Sequence, residues 1–193
     1  MANRLILVTG GARSGKSSFA VNLATQAGGE VLFVATARAG DEEMVRRIAE
    51  HQASRPAHWR TLEAPRNVGT AIKGSLSEGQ FVILDCLGVL VSNILMDAIG
   101  DDADACQPRF QSIKEEVIAE IESLVSAFRH SRSDFVVVTN EVGEGLVPPY
   151  PLGRAFRDLV GMANQSLAAQ ADEVYLLVCG IPVEVKRGSE ARS

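Results

Sequence analysis

At 193 residues, with 46% hydrophobic and 22% charged side chains, the chain has the size and composition of one globular domain with a substantial core. A net charge of −5 and an isoelectric point near 5.3 argue against a general binder of nucleic acid or anionic membrane, which would be basic. The longest apolar stretch, 81–96, contains Asp85 and Asn93 and is shorter than the roughly 20 residues that span a bilayer, so membrane insertion is not expected. Cys86, Cys106 and Cys179 form neither a C-x-x-C pair nor a disulfide framework. With Met1–Arg4 leading straight into the first apolar run, a cytoplasmic location without a signal peptide is the expectation.

The first element is an apolar run, Leu5–Val8, that reads as a buried strand. It is followed by Thr9-Gly10-Gly11-Ala12-Arg13-Ser14-Gly15-Lys16-Ser17. Gly10, Gly15, Lys16 and Ser17 match the G-x-x-x-x-G-K-[ST] phosphate loop, with the required strand before and helix after. Its glycines let backbone N–H groups curl around phosphates, and the helix N-terminus adds a positive dipole end. In such a loop the Lys16 ammonium reaches the β- and γ-phosphates, and the Ser17 hydroxyl is a ligand for Mg²⁺. A helix from Ser17 to Ala27 stops at Gly28-Gly29.

Val31–Thr36 reads as a second buried strand. Asp41 then caps a helix with Glu42 and Glu43 in its first turn and an apolar stripe of Met44, Val45 and Ile48, ended by Pro56 at the latest. His51 falls near the end of that helix. Trp59–Glu63 reads as a short strand and Val68–Leu76 as a helix. Phe81–Asp85 is four apolar residues ending in an acid, as in a nucleotide-site strand whose carboxylate works through Mg²⁺; Asp85 also suits the cap of the helix that follows. Leu87–Ile99 and Pro108–Arg129 are helical patterns flanking a solvent-facing acidic loop, 100–104. Phe135–Glu141 is another strand, and Val142–Gly153 is a Gly/Pro-rich loop long enough to be functional. A helix over Ala155–Gln170, a strand over Glu173–Cys179 and an edge strand over 180–185, where Pro182 is tolerated, complete the chain.

Strands alternating with helices predict an α/β fold: a mostly parallel P-loop-type sheet flanked by helices, with a C-terminal antiparallel edge strand. Ligands of such sheets bind beyond the carboxyl ends of the strands. Thr9-Gly10, Ala35-Thr36, Asp85 and Asn140-Glu141 all fall at such ends and are expected to share one cleft. Spacing alone reaches a P-loop NTPase or kinase. It leaves open a small-molecule kinase and a non-enzymatic nucleotide-gated module.

Further blocks narrow this. Asp41-Glu42-Glu43-Met44, Arg47-Ile48, His51, Arg55-Pro56, Trp59-Arg60-Thr61-x-Glu63, Asp85-Cys86-Leu87, Ser92-Asn93, Val138-Thr139-Asn140-Glu141-Val142-Gly143, Phe156-Arg157-Asp158, Asn164-Gln165 and Ala171–Val174 occur in order. With the phosphate loop, this series resembles the bifunctional adenosylcobinamide kinase/adenosylcobinamide-phosphate guanylyltransferase family of cobalamin synthesis, over nearly the whole chain. The resemblance implies two reactions: phosphorylation of adenosylcobinamide by ATP or GTP, then transfer of GMP from GTP through a guanylylated histidine, which corresponds to His51. It also implies nucleotide contacts from Gly10, Gly11, Ala12, Arg13, Ser14, Gly15, Lys16 and Ser17, from Ala35, Thr36 and Ala37, from Gln52, Ala53, Ser54 and Arg55, and from Glu63 and Asp85. Mg²⁺ would be held by Ser17 and Asp85. The family's members are homo-oligomers, implying a trimer here. Gln52 is a departure from the resemblance, in which many members carry a basic residue directly after the histidine. His58 and His130 have no counterpart role and read as peripheral. Part of the acceptor site is expected in the 142–153 loop.

Overall fold

The computed structural model describes residues 3–40, 45, 46, 49, 52 and 55–187, apart from the side chains of residues 103 and 104. The apolar runs become strands β1 (Leu5–Gly10), β2 (Val31–Ala35), β3 (Arg60–Glu63), β4 (Phe81–Asp85), β5 (Phe135–Val138), β6 (Glu173–Val178) and β7 (Ile181–Lys186). Between them run helices α1 (Lys16–Ala27), α2 (Val68–Ser75), α3 (Leu87–Ile99), α4 (Phe110–Arg129) and α5 (Pro151–Gln170). The strands form one sheet in the order β3-β2-β4-β5-β1-β6-β7. All neighbouring pairs are parallel except β6 and β7. The expected α/β fold with an antiparallel C-terminal edge is therefore the one observed.

Strict alternation divides the sheet's side chains between two cores. Leu5, Leu7, Leu32, Val34, Val82, Leu84, Phe135 and Val137 pack with the apolar stripes of α2, α3, α4 and α5. Ile6, Val8, Phe33, Ile83, Val136 and Val138 face the other way, against Ala20 and Ala24 of α1. No helix among the described residues is long and apolar enough to cross a membrane.

Several boundaries differ from the sequence reading. The acidic loop contains a 3₁₀ turn, Ala103–Cys106, and the next helix opens at Phe110 rather than Pro108. β5 stops at Val138, so Thr139, Asn140 and Glu141 lie beyond the strand. α5 begins at Pro151, ahead of its apolar stripe, because proline at a first helical position loses no hydrogen bond and has its φ already set. That shortens the preceding loop to 139–150. The predicted helix start at Asp41–Met44 lies outside the described residues; residues 45, 46, 49 and 52 are helical.

α2 and α4 meet through a glycine. A Cβ on Gly69 would lie 2.3 Å from the backbone carbonyl carbon and oxygen of Ser123. Gly69→Ala must push the two helices apart, and a loss of about 2–3 kcal/mol is expected, at the upper end for overpacking. Urea unfolding monitored by circular dichroism reads it; unchanged stability would mean that the helix contact is not the tight one described.

Candidate active site at the carboxyl ends of the strands

The phosphate-loop sequence rises from β1, the strand held between β5 and β6. Gly10 adopts φ +145°, and a Cβ there would fall 2.5 Å from the Leu177 carbonyl oxygen. Gly15 adopts φ +95°, with its missing Cβ 3.1 Å from Gly180 Cα. No residue with a side chain meets both demands without strain. The loop is bonded on two sides: Gly180 N–H donates to Ser14 O at 2.9 Å, and Glu141 N–H donates to Gly10 O at 3.0 Å. α1 starts at Lys16 with Gly15 as its left-handed N-cap and no side-chain cap, so its first N–H groups open into the loop.

Lys16 is 7% exposed and donates Nζ–H to the Gly11 carbonyl at 2.6 Å. Burial lowers its pKa, and Cys86 and Asp85 oppose that shift. Asp85 ends β4, two strands from β1, so its charge reaches Lys16 across β5. It does not act as a helix cap: the N-cap of α3 is Cys86, and no side chain caps that end. Ser17 and Asp85 offer one hydroxyl and one carboxylate oxygen, a donor set suited to Mg²⁺, which keeps waters and takes its remaining ligands from substrate phosphates. Among the described residues, no cluster of three acidic, histidine or cysteine side chains forms a self-sufficient metal site.

The β2 and β4 ends are stitched together. Thr36 Oγ1 donates to Cys86 O at 2.8 Å and accepts from Cys86 N–H at 2.9 Å. Asn93 of α3, buried in an apolar helix, donates Nδ2–H to Thr36 O at 2.8 Å and to Pro65 O at 3.0 Å. Beside them, the Arg55 guanidinium lies 3.3 Å from the centroid of Phe33. Burial lowers the Arg55 pKa against the pull of Asp85, and its buried Nη1 has no hydrogen-bond partner in the protein. A buried guanidinium N–H without a partner has hydrogen-bonding capacity left for an anionic oxygen.

The structure thus brings Gly10–Ser17, Ala35-Thr36, Arg55 and Asp85 to one rim. Ala37 follows in the same chain segment, and Gln52 is exposed. Glu63 is exposed at the end of β3, four strand spacings or roughly 19 Å from β1. His51, Ala53 and Ser54 lie outside the described residues. His58 is exposed, and His130 donates Nδ1–H to Ser126 O at the C-terminus of α4, away from the rim. Two structural roles at the site were not assigned from the sequence: the bridge made by Asn93 and the brace made by Gly180. Asn93 carried a signal, as the one amide in an apolar helical run. Gly180 carried none, because its partner, Ser14, lies at the other end of the chain.

Comparison with known proteins covers nearly the whole chain. Residues 6–185 match the family model described as CobU, cobinamide kinase / cobinamide phosphate guanyltransferase. The chain is 43% identical over 182 residues to the bifunctional adenosylcobalamin biosynthesis protein CobU of Escherichia coli K12, covering 94% of this chain and 99% of that one. It is 44% identical to the protein of the same name from Salmonella typhimurium LT2, with the same coverage. It is 38% identical to the bifunctional adenosylcobalamin biosynthesis protein CobP of Pseudomonas aeruginosa PAO1, covering 93% and 96%. Among solved structures, a Pyrococcus horikoshii OT3 protein superposes with a TM-score of 0.53 at 8% identity, covering 95% of this chain and 86% of that one, a likeness of fold alone.

The loop's contact with Gly180 makes the neighbouring thiol a reporter. Cys179 is exposed, Cys106 is fully buried, and burial pushes the Cys86 thiol up to about 11. At pH 8, iodoacetamide is expected to modify Cys179 alone, as mapped by mass spectrometry. A bulkier maleimide adduct at the same thiol should weaken triphosphate binding roughly tenfold, the worth of one hydrogen bond, read by titration of a fluorescent nucleotide. Unchanged affinity would show that the turn does not brace the loop.

Proposed function

The chain belongs to the cobinamide kinase / cobinamide phosphate guanyltransferase family, and we propose that it carries out both reactions on adenosylcobinamide at one nucleotide site. In the first, the acceptor's side-arm hydroxyl oxygen bonds to the γ-phosphorus of ATP or GTP, the β–γ bridge breaks, and the hydroxyl proton is released. In the second, a neutral imidazole nitrogen of His51 attacks the α-phosphorus of GTP, and pyrophosphate leaves. A phosphate oxygen of adenosylcobinamide phosphate then attacks the histidine-bound phosphorus and frees the imidazole, giving adenosylcobinamide-GDP. Two displacements at one phosphorus replace a single harder one.

The observation that carries this reading is the extent of the match, residues 6–185, which runs from the phosphate-loop strand to the last strand. Roles are assigned accordingly. The backbone from Gly10 to Gly15, with Ala12 and Arg13 at its crest, cradles the phosphates, and Lys16 neutralises the transferring group. Ser17 and Asp85 would hold Mg²⁺, which supplies charge neutralisation on the phosphates when bound. Arg55, with its unpartnered buried Nη1, pairs with a phosphate oxygen. Ala35, Thr36 and Ala37, with Gln52, Ala53 and Ser54, border the nucleotide. Glu63 accepts from guanine N1–H and N2–H₂ when the nucleotide lies across the strand ends. His51, Ala53 and Ser54 are assigned from the family likeness alone. The same likeness supports a homotrimer, for which light scattering gives the mass.

Incubation with α-labelled GTP and Mg²⁺ tests the covalent step. Acid-labile, base-stable label on the protein is expected, and its loss in His51→Ala; label retained in that variant removes His51 from the mechanism. Lys16→Ala should lower both kinase and guanylyl-transfer rates by about a hundredfold or more. If only one activity falls, the two reactions do not share a phosphate site. Glu63→Ala should raise the KM for GTP in protein labelling and leave phosphorylation by ATP intact; equal effects on both would withdraw Glu63 from base recognition.

A further inference from the structure

The 139–150 segment is bonded to the nucleotide rim and yet presents apolar side chains to solvent. Its root is fixed: Glu141 N–H donates to Gly10 O, Thr139 Oγ1 donates to Asn164 Oδ1 at 2.7 Å, and Asn164 Nδ2 donates to Asn140 O at 3.1 Å. Its far side is fixed as well. Arg154 of α5 donates Nη1–H to the carbonyls of Pro148 and Pro149 at 3.1 and 2.8 Å. A Cβ on Gly153 would fall 2.7 Å from Pro148 Cβ, so the proline pair is packed against the start of the helix.

On this braced loop Leu146 is 97% exposed, Val147 63% and Tyr150 65%. Single apolar side chains on a surface are ordinary. Three within five residues, on a segment anchored at both ends, make an apolar patch with less ordering cost left for a ligand to meet than on an unanchored loop. Five residues separate Leu146 from Glu141, so its Cα lies within about 17 Å of the phosphate-loop contact. The segment contains Glu141 and Glu144 and no lysine or arginine between Asn140 and Gly153. With Arg154 taken up by the Pro148 and Pro149 carbonyls, the segment's own side chains are apolar and acidic, suited to a cationic ligand with apolar surface and unsuited to a polyanion.

We propose that Leu146, Val147 and Tyr150 form the platform for the acceptor's macrocycle. Adenosylcobinamide carries a broad ring whose methyl groups and conjugated frame offer apolar surface between amide arms, and its trivalent cobalt leaves it with a net positive charge. Seated on this loop, it directs its side arm along the 141–146 backbone toward the phosphate loop, first as the hydroxyl and then as the phosphate. The platform rests on the acceptor being a cobinamide, as read above. It names the specificity-determining residues that the nucleotide rim does not supply.

The test uses the full chain with adenosylcobinamide and ATP, comparing wild type with Leu146→Asp and with Leu146→Asp/Tyr150→Ser. The KM for adenosylcobinamide is expected to rise about tenfold or more, with the KM for ATP unchanged and protein labelling by GTP, which needs no acceptor, still proceeding. Normal wild-type turnover with an unchanged variant KM overturns the platform alone. A variant whose assembly falls apart by light scattering also overturns it, and assigns the loop to contact between copies. A wild-type protein that is labelled by GTP yet transfers nothing to adenosylcobinamide overturns the acceptor reading and, with it, the occupant.

Discussion

The phosphate loop is gripped from both sides by backbone that comes from elsewhere in the chain. The β6–β7 turn donates a hydrogen bond to Ser14, and the residue beyond β5 donates one to Gly10. Each contact is close enough to demand glycine: Gly10 against the Leu177 carbonyl, and Gly15 against Gly180. The loop's curvature is therefore a property of the whole sheet edge. It does not depend on local glycine flexibility, which alone would leave the amide groups unaligned. Preorganised donors of this kind stabilise phosphate charge without reorganising when it arrives.

Around that loop the charges are arranged to attract anions. Lys16 is buried, which makes its ammonium a stronger partner for phosphate than a solvated lysine would be, and Cys86 and Asp85 oppose the pKa lowering that burial brings. Arg55 occupies the neighbouring crevice under similar tension between burial and Asp85. One carboxylate thus supports two buried cations. The Thr36–Cys86 bonds and the Asn93 bridge keep that carboxylate's strand end in register with β2. The exposed Arg38–Asp97–Arg66–Glu116 pairs lie further out and are solvent-screened, so they add little.

How much of this could be read from the residues depended on distance along the chain. Gly10–Ser17 declared itself because every group it needs falls within eight residues, and Asp85 because it ends an unbroken apolar run. The strand order was legible as a class, since alternating elements force a parallel sheet, but pairing β1 with β5 and β6 is a tertiary outcome that no local pattern encodes. The early start of α5 was missed because apolar periodicity begins later than the helix, whereas the proline signal lies at its first residue. Arg55 was recognisable by likeness to relatives, but its placement over Phe33 and its free Nη1 were not. His51 carries no local signature of a nucleophile.

The parallel pairing of β1 also dictates when the molecule becomes competent. β1 finds its two neighbours only in strands that start at residues 135 and 173, and its loop is held by Glu141 and Gly180. Such long-range closure is entropically costly and slow compared with forming the helices. The phosphate cradle is consequently completed only with the later strands, although its own residues come ahead of them in the sequence. A truncated or nascent chain lacking the final hairpin carries the complete phosphate-loop sequence without the backbone that bends it. Recovery of nucleotide binding during refolding is therefore a measure of whole-sheet assembly, not of the loop alone.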